Sequence, residues 1–165
     1  KIELKGMENS RIIDGTIFFN NGLYFVFFGE NHNADSVLNL FYSSSLKSKF
    51  KPHPKSPIII NPSTARMGGH ILSYENRLYR LGQNSCYGYG EKLSLNEITN
   101  IDKYNYCEKF INEIQITNFK GPHTLNIDND NFLFDFYEDR FSIFAGIRRL
   151  LNLFKKKLVN ITIVN

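Results

Sequence analysis

Apolar and polar residues alternate along most of this chain, and Asn-rich turns interrupt the alternation at intervals. Three segments share one form: "DGTIFFNNGLYFVFF" from Asp14 to Phe28, "GGHILSYENRLYRLGQ" from Gly68 to Gln83, and "HTLNIDNDNFLFDF" from His123 to Phe136. Each reads as a short apolar strand, a turn and a second, aromatic strand. The turns "NNG", "YEN" and "DNDN" supply Asn, Asp and Gly, which reach the positive φ angles of tight hairpins at low cost. Between them "SVLNLFYSSSL", "GEKLSLNEI" and "EKFINEIQI" alternate as half-buried strands do, and "KPHPKSPIII" offers a proline-bounded strand.

Gly15, Gly69 and His123 stand at a constant interval of 54 residues. A period of ~40–50 residues with about four strands per unit is the pattern of propeller blades. The expected fold is therefore all-β: a partial, about three-bladed propeller of the five-bladed type. It would occupy residues 1–140, with repeats near 14–67, 68–121 and 122–140. Closed propellers have ~4–8 blades, so either more blades precede this segment or the sheets pack in another open arrangement. The chain begins at Lys1 rather than Met, which fits a missing upstream segment.

The period changes near residue 140. In "RFSIFAGIRRLLNLFKKKL", Phe141, Phe144, Ile147, Leu151, Phe154 and Leu158 recur every three or four residues. That spacing predicts an amphipathic helix over 141–158. Its stripe can dock on the sheet with the lysines in water, or lie on an anionic membrane surface as a peripheral contact. The closing "LVNITIV" reads as a last strand or tail over 159–165.

Composition agrees with one folded domain: 165 residues, 42% of them hydrophobic. Fifteen Phe and nine Tyr without Trp favour a pleated surface. Net charge is +4, and five cations with no acid follow residue 141 (Arg148, Arg149 and Lys155 to Lys157). The remainder is close to neutral, so no nucleic-acid partner is expected. Two cysteines are too few for a disulfide scaffold and suggest reduced thiols in a cytoplasmic protein. No apolar run reaches the ~18–20 residues that span a bilayer, and no signal-peptide pattern opens the chain.

The fragments "IIDGTIFFNNGLYFVFFGE", "LKSKFKPHPKSPIIINPSTARMGGHILSYENRLYRLGQNSCYGYGEKLSLNEI" and "GPHTLN" carry a resemblance. The chain resembles the N-terminal domain of glucosamine inositolphosphorylceramide transferases and its stand-alone bacterial relatives. That domain is placed in the five-bladed propeller clan of arabinanases, invertases and levansucrases. The likeness covers roughly residues 10–150, and Pro52 to Ile98 is its most specific part. The His-Leu-Ser-Tyr-Pro segment and Pro-Glu pair of earlier blades are absent, and Arg80-Leu81-Gly82-Gln83 replaces Arg-Pro-Ala-Gln. In the plant proteins sugar transfer belongs to a separate C-terminal glycosyltransferase domain. The resemblance thus implies a propeller-like fold and recognition of a glycan or nucleotide sugar in glycoconjugate or cell-surface polysaccharide biosynthesis. The alternatives are a non-catalytic assembly domain for a membrane-bound glycosyltransferase and, third, a glycoside hydrolase-like enzyme.

The candidate residues follow from chemistry and position. Glycoside hydrolysis needs two carboxylates: Asp14 in "IIDGT" can supply one and Glu30 in "FFGENH" is the nearest candidate for the other, the alternatives being a turn carboxylate before Gly15 and a solvent-exposed loop acid. Arg66 is the strongest binding group, a rigid fork of donors beside Met67-Gly68-Gly69, whose glycines leave room for a ligand; the alternative is an ion pair that holds the blades together. Arg80 and Gln83 on the following strand add donors and an acceptor. Tyr87 or Tyr89, in "SCYGYG", offers a ring for sugar stacking. His123 in "GPHTLN" matches a His of the family pattern. If the blades are radial copies, their inner ends gather Asp14, Arg66, Gln83 and His123 into one polar pocket. No metal or cofactor is expected: the His and Cys spacings lack the short pairs of zinc sites, and "DNDN" lacks the rest of a calcium loop. Cys86 has no local base beside it and reads as a structural thiol.

Overall fold

A computed structural model describes residues 2–86, 88, 92–115, 120–128 and 131–136. The first expected hairpin forms from β1 (Ile12–Asn20) and β2 (Leu23–Glu30). Asn21 and Gly22 turn it at φ of 47° and 79°, the left-handed pair that matches strand twist. The second joins β7 (Leu72–Tyr74) to β8 (Arg77–Gln83) through Glu75 and Asn76, at φ of 47° and 59°. The third pairs β11 (Leu125–Asp128) with β12 (Asn131–Phe134).

Around these hairpins two larger antiparallel sheets assemble. The first runs β1-β2-β3-β4, with β3 spanning Val37–Ser43 and β4 spanning Lys51–Pro52; β5 (Ile59–Ile60) also pairs with β3. The second runs β10-β9-β8-β6, with β7 also on β8. Here β6 is Arg66–Met67, β9 is Leu93–Ile101 and β10 is Tyr106–Ile114. The expectation of an all-β chain holds among the described residues, which contain no helix and no closed sheet. The helix expected over 141–158 and the strand or tail over 159–165 lie outside the described residues. "KPHPKSPIII" yields only two-residue strands, because Pro54 and Pro57 have no N–H to give to the ladder.

Alternation along β2 decides the layering. Phe25 and Phe27 point to one face, with Leu38, Leu40, Met67, Ile98, Ile101 and Tyr106 in a core that both large sheets share. Val26 and Phe28 point to the other, where Phe41, Phe50 and the N-terminal Ile2, Leu4 and Met7 cover them. Each fully buried Phe or Leu contributes about 1.5–3 kcal/mol relative to exposure. The central strand is therefore apolar on both faces, and "LYFVFF" is a continuous run rather than an alternating one.

A histidine fastens the two sheets. His53, 2% exposed, follows β4; its Nδ1 accepts from Lys55 N at 3.1 Å, so Nε2–H donates to Asp102 O at 3.0 Å. Asp102 lies in the turn between β9 and β10. Burial holds the His53 pKa below the usual histidine value and Lys55 adds to this, against the opposing pull of Asp102. A depressed value means the unfolded chain binds the proton more readily. Stability conferred by neutral His53 is thus complete above the unfolded value of about 6.5 and declines as pH falls from there through the folded value. His53→Gln should flatten this part of the stability-versus-pH curve, by at most about 1.4 kcal/mol per pH unit for one proton. Urea unfolding of both proteins from about one pH unit above 6.5 to about one and a half below it checks it; parallel curves would refute the assignment.

Candidate functional site

The site grows from an irregularity in β1. Ile13 pairs with Gly29 and Thr16 with Phe27, so Asp14 and Gly15 together face the single residue Phe28. This is a bulge, and its first residue, Asp14, sits at φ 49°. Asp tolerates that left-handed conformation better than most residues. The bulge turns the Asp14 carboxylate toward the second sheet, where Arg66 Nε donates to its Oδ2 at 2.7 Å.

Arg66 opens β6 and is held from two sides. Its Nη1 donates to Asp35 Oδ1 at 2.7 Å, and Asp35 belongs to the loop between β2 and β3. Burial alone would lower the guanidinium's pKa, but the bonds to Asp35 and Asp14 outweigh it and raise it. Two carboxylates on one cation give the triad a net negative charge. Both acids are committed as acceptors, which fixes their orientation toward any hydroxyl that approaches.

Two clefts flank this triad. One, of about 300 Å³, lies against Arg66, Asp35, Asn31, His32, Asn33 and Ser36. The other, of about 360 Å³, is bounded by Asp14, Thr16, Gly69, His70, Thr124 and Asn126. The third hairpin closes the second cleft. Leu125 N donates to Gly68 O at 2.8 Å, and a Cβ on Gly69 would stand 2.1 Å from Leu125 O, so only glycine permits this approach. Asn126 Oδ1 accepts from both His70 N at 3.0 Å and His70 Nδ1 at 2.7 Å. In neutral His70 that leaves Nε2 as an acceptor.

The other expected site residues separate. Arg80 is a correction: it is 0% exposed and forms a core ion pair instead of facing a ligand. Its Nε and Nη2 donate to Glu108 at 2.7 and 2.6 Å, and Nη1 donates to Thr64 O at 2.8 Å. Gln83 is likewise buried; it pairs with Arg66 in the ladder, and its Nε2 donates to Met67 O at 2.8 Å. It stands behind the triad and backs the β6 strand. Glu30 accepts from Ser10 Oγ at 3.3 Å and lines neither cleft. His123 pairs with Asp135 at the entry to the third hairpin, and its neighbour Thr124, not His123 itself, reaches the second cleft. Tyr87 and Tyr89 lie outside the described residues. Cys86 and Cys107 are free and exposed. Of the four side chains expected in one pocket, Asp14 and Arg66 meet, while Gln83 and His123 stand behind and beside them.

Asp35, His70 and Asn126 had no distinguishing pattern in the sequence. Asp35 closes an Asn-rich loop that reads as solvent-exposed, and His70 and Asn126 belong to different repeats. A hint was available in the repeat itself, since both lie near the start of their hairpins.

A family model described as glucosamine inositolphosphorylceramide transferase 1, N-terminal, matches residues 4–135. Glucosamine inositolphosphorylceramide transferase 1 of Arabidopsis thaliana is 33% identical over 104 residues, 59% of this chain and 14% of that protein. The protein of the same name from Oryza sativa subsp. japonica is 31% identical over 116 residues, 66% of this chain and 15% of its own length. No solved structure matches the chain significantly. The chain thus spans only 14–15% of these curated relatives. Since the matched region takes in both large sheets, the triad and the third hairpin, the chain belongs to the family of glucosamine inositolphosphorylceramide transferase N-terminal domains.

Proposed function

We propose that the chain is a carbohydrate-recognition domain associated with glycoconjugate biosynthesis, binding its ligand in the clefts on either side of Arg66. The observation that carries this reading is the Asp14–Arg66–Asp35 triad between two openings walled by Asn, Ser, Thr and His side chains. Such walls both donate and accept hydrogen bonds, as a hydroxyl-rich ligand requires. The relatives' printed name, a glucosamine inositolphosphorylceramide transferase, supports the carbohydrate context. Two antiparallel meanders followed by a third hairpin support a partial propeller, with the triad at the junction of its first two blades.

A glycan and nucleotide-sugar array tests the reading. Wild type binds a restricted set of sugars, and Arg66→Ala lowers affinity at least about tenfold, the ~1.4 kcal/mol that loss of one charge-assisted bond amounts to. Binding to no sugar, or equal binding by Arg66→Ala with its fold intact, would defeat it.

A second reading, a non-catalytic assembly domain that serves a membrane-bound glycosyltransferase, draws on the match to a family described as the N-terminal part of a transferase. The hydrolase reading is weaker, since Glu30 lines neither cleft and Asp14 is already bound to Arg66.

A further inference from the structure

The hydrogen-bond roles around the triad are fixed by partners that act in one direction only. Ser36 Oγ lies 3.3 Å from Asn33 O, Thr16 Oγ1 lies 3.3 Å from Gly69 O, and Thr124 Oγ1 lies 3.2 Å from Asp135 Oδ1. Carbonyl and carboxylate oxygens accept, so all three hydroxyls have given their single proton inward and keep lone pairs for the clefts. Asn126 is set in the same way. A backbone N–H can only donate, so the Asn126 atom that meets His70 N must be the oxygen, and that oxygen takes His70 Nδ1–H as well. Neutral His70 is thereby held in the tautomer whose Nε2 accepts. Asp14 and Asp35 each give one oxygen to Arg66 and keep the other. Their side chains are 39% and 62% exposed, open enough for a ligand to reach.

Charge points the same way. Among the described residues that line the two clefts, Arg66 is the only Lys or Arg, and it stands between two carboxylates. Sites for phosphate and carboxylate groups are built the other way round, from converging donors and excess positive charge. We infer that the ligand of these clefts is a saccharide without phosphate, sulfate or carboxylate groups, held chiefly by hydroxyl protons that it donates to Asp14, Asp35 and His70. This selectivity rests on the carbohydrate reading above, and it separates a glycan from a nucleotide sugar. A sugar hydroxyl donates and accepts at once, whereas an ionised phosphate or carboxylate oxygen brings no proton to these acceptors. Donors remain on Asn31 and on Asn126 Nδ2 for the sugar's own oxygens. A like charge about 4–5 Å from the triad's excess carboxylate weakens binding by roughly tenfold or more at the screening of a surface site.

The test uses the full chain and matched ligands: neutral glycans, their 6-sulfated and uronate counterparts, and UDP-glucose as the nucleotide-sugar probe. Neutral members should bind at least about tenfold more tightly than their anionic counterparts. Asp35→Asn can still accept from Arg66 but balances the triad's charge. It should shrink that ratio to within about threefold, with the urea midpoint confirming an intact fold. Salt at about 1 M, where the screening length falls to ~3 Å, should shrink the wild-type ratio likewise. An anionic counterpart or UDP-glucose that binds wild type as tightly as the neutral glycan overturns the inference and leaves the carbohydrate reading in place. A ratio that neither Asp35→Asn nor salt changes overturns its assignment to the triad. Binding to no sugar of either kind removes the carbohydrate reading itself, and this selectivity with it.

Discussion

Arg80→Met is expected to lower the unfolding free energy by about 3–5 kcal/mol, the loss typical when one partner of a buried ion pair is removed. Arg80 is wholly buried, and the Glu108 side chain is only 8% exposed. Burial would lower the guanidinium's pKa, but Glu108 more than compensates and raises it. Without Arg80 the carboxylate keeps just the Tyr106 hydroxyl, which donates at 2.5 Å. Burial holds that phenol's pKa well above its ordinary value, so it stays a donor. Thr64 O and Oγ1 lose their Arg80 partners in the same stroke. Against a total stability of about 5–15 kcal/mol, such a loss leaves a marginal fold. Urea midpoints at unchanged m-value measure it. The double variant Arg80→Met with Glu108→Leu should recover much of the loss, because it removes the stranded charge. A single variant within about 1 kcal/mol of wild type would mean that the pair is hydrated like a surface bridge.

The same arginine marks where sequence reading reaches its limit. The hairpins were legible because their turns depend on local chemistry: Asn21-Gly22 and Glu75-Asn76 occupy φ values that few residues accept. Arg66 was legible as a polar group flanked by glycines. Its second partner was not, since Asp35 meets it only once the β2–β3 loop and β6 come together from different sheets. Arg80 looked like a ligand-facing donor because strand alternation distinguishes faces only when one of them is wet. In β8 the last four residues are all buried, so Arg80, Leu81, Gly82 and Gln83 carry no such signal. A usable clue was Glu108 on the strand two away, an acid able to neutralise a core cation. The repeat of hairpins was visible at a fixed spacing, whereas ring closure depends on contacts between distant segments that periodicity does not encode.

Gly82→Ala should cost about 3 kcal/mol, at the upper end of ordinary overpacking. A Cβ there would lie 2.1 Å from Thr64 O, 2.6 Å from Thr64 Oγ1 and 2.8 Å from Ser94 Oγ. None of these can retreat alone. Ser94 Oγ donates to Gly82 O, which leaves the Thr64 hydroxyl to donate to Ser94 at 2.6 Å. Thr64 Oγ1 in turn accepts from Asn96 and Arg80. Moving Thr64 therefore loosens the Arg80–Glu108 pair, and it also drags the start of β6, where Arg66 pairs with Gln83 and Met67 with Gly82. Arg66 would shift against Asp14 and Asp35, so ligand affinity should fall together with the urea midpoint. Gly15→Ala is the matched control. Its Cβ would meet only Ile12 Cγ2, at an ordinary 3.5 Å, and its cost should stay within about 0.5–1 kcal/mol. If both alanines cost the same, the Thr64 loop is free to yield, and the tight seat beneath Arg66 does not position the triad.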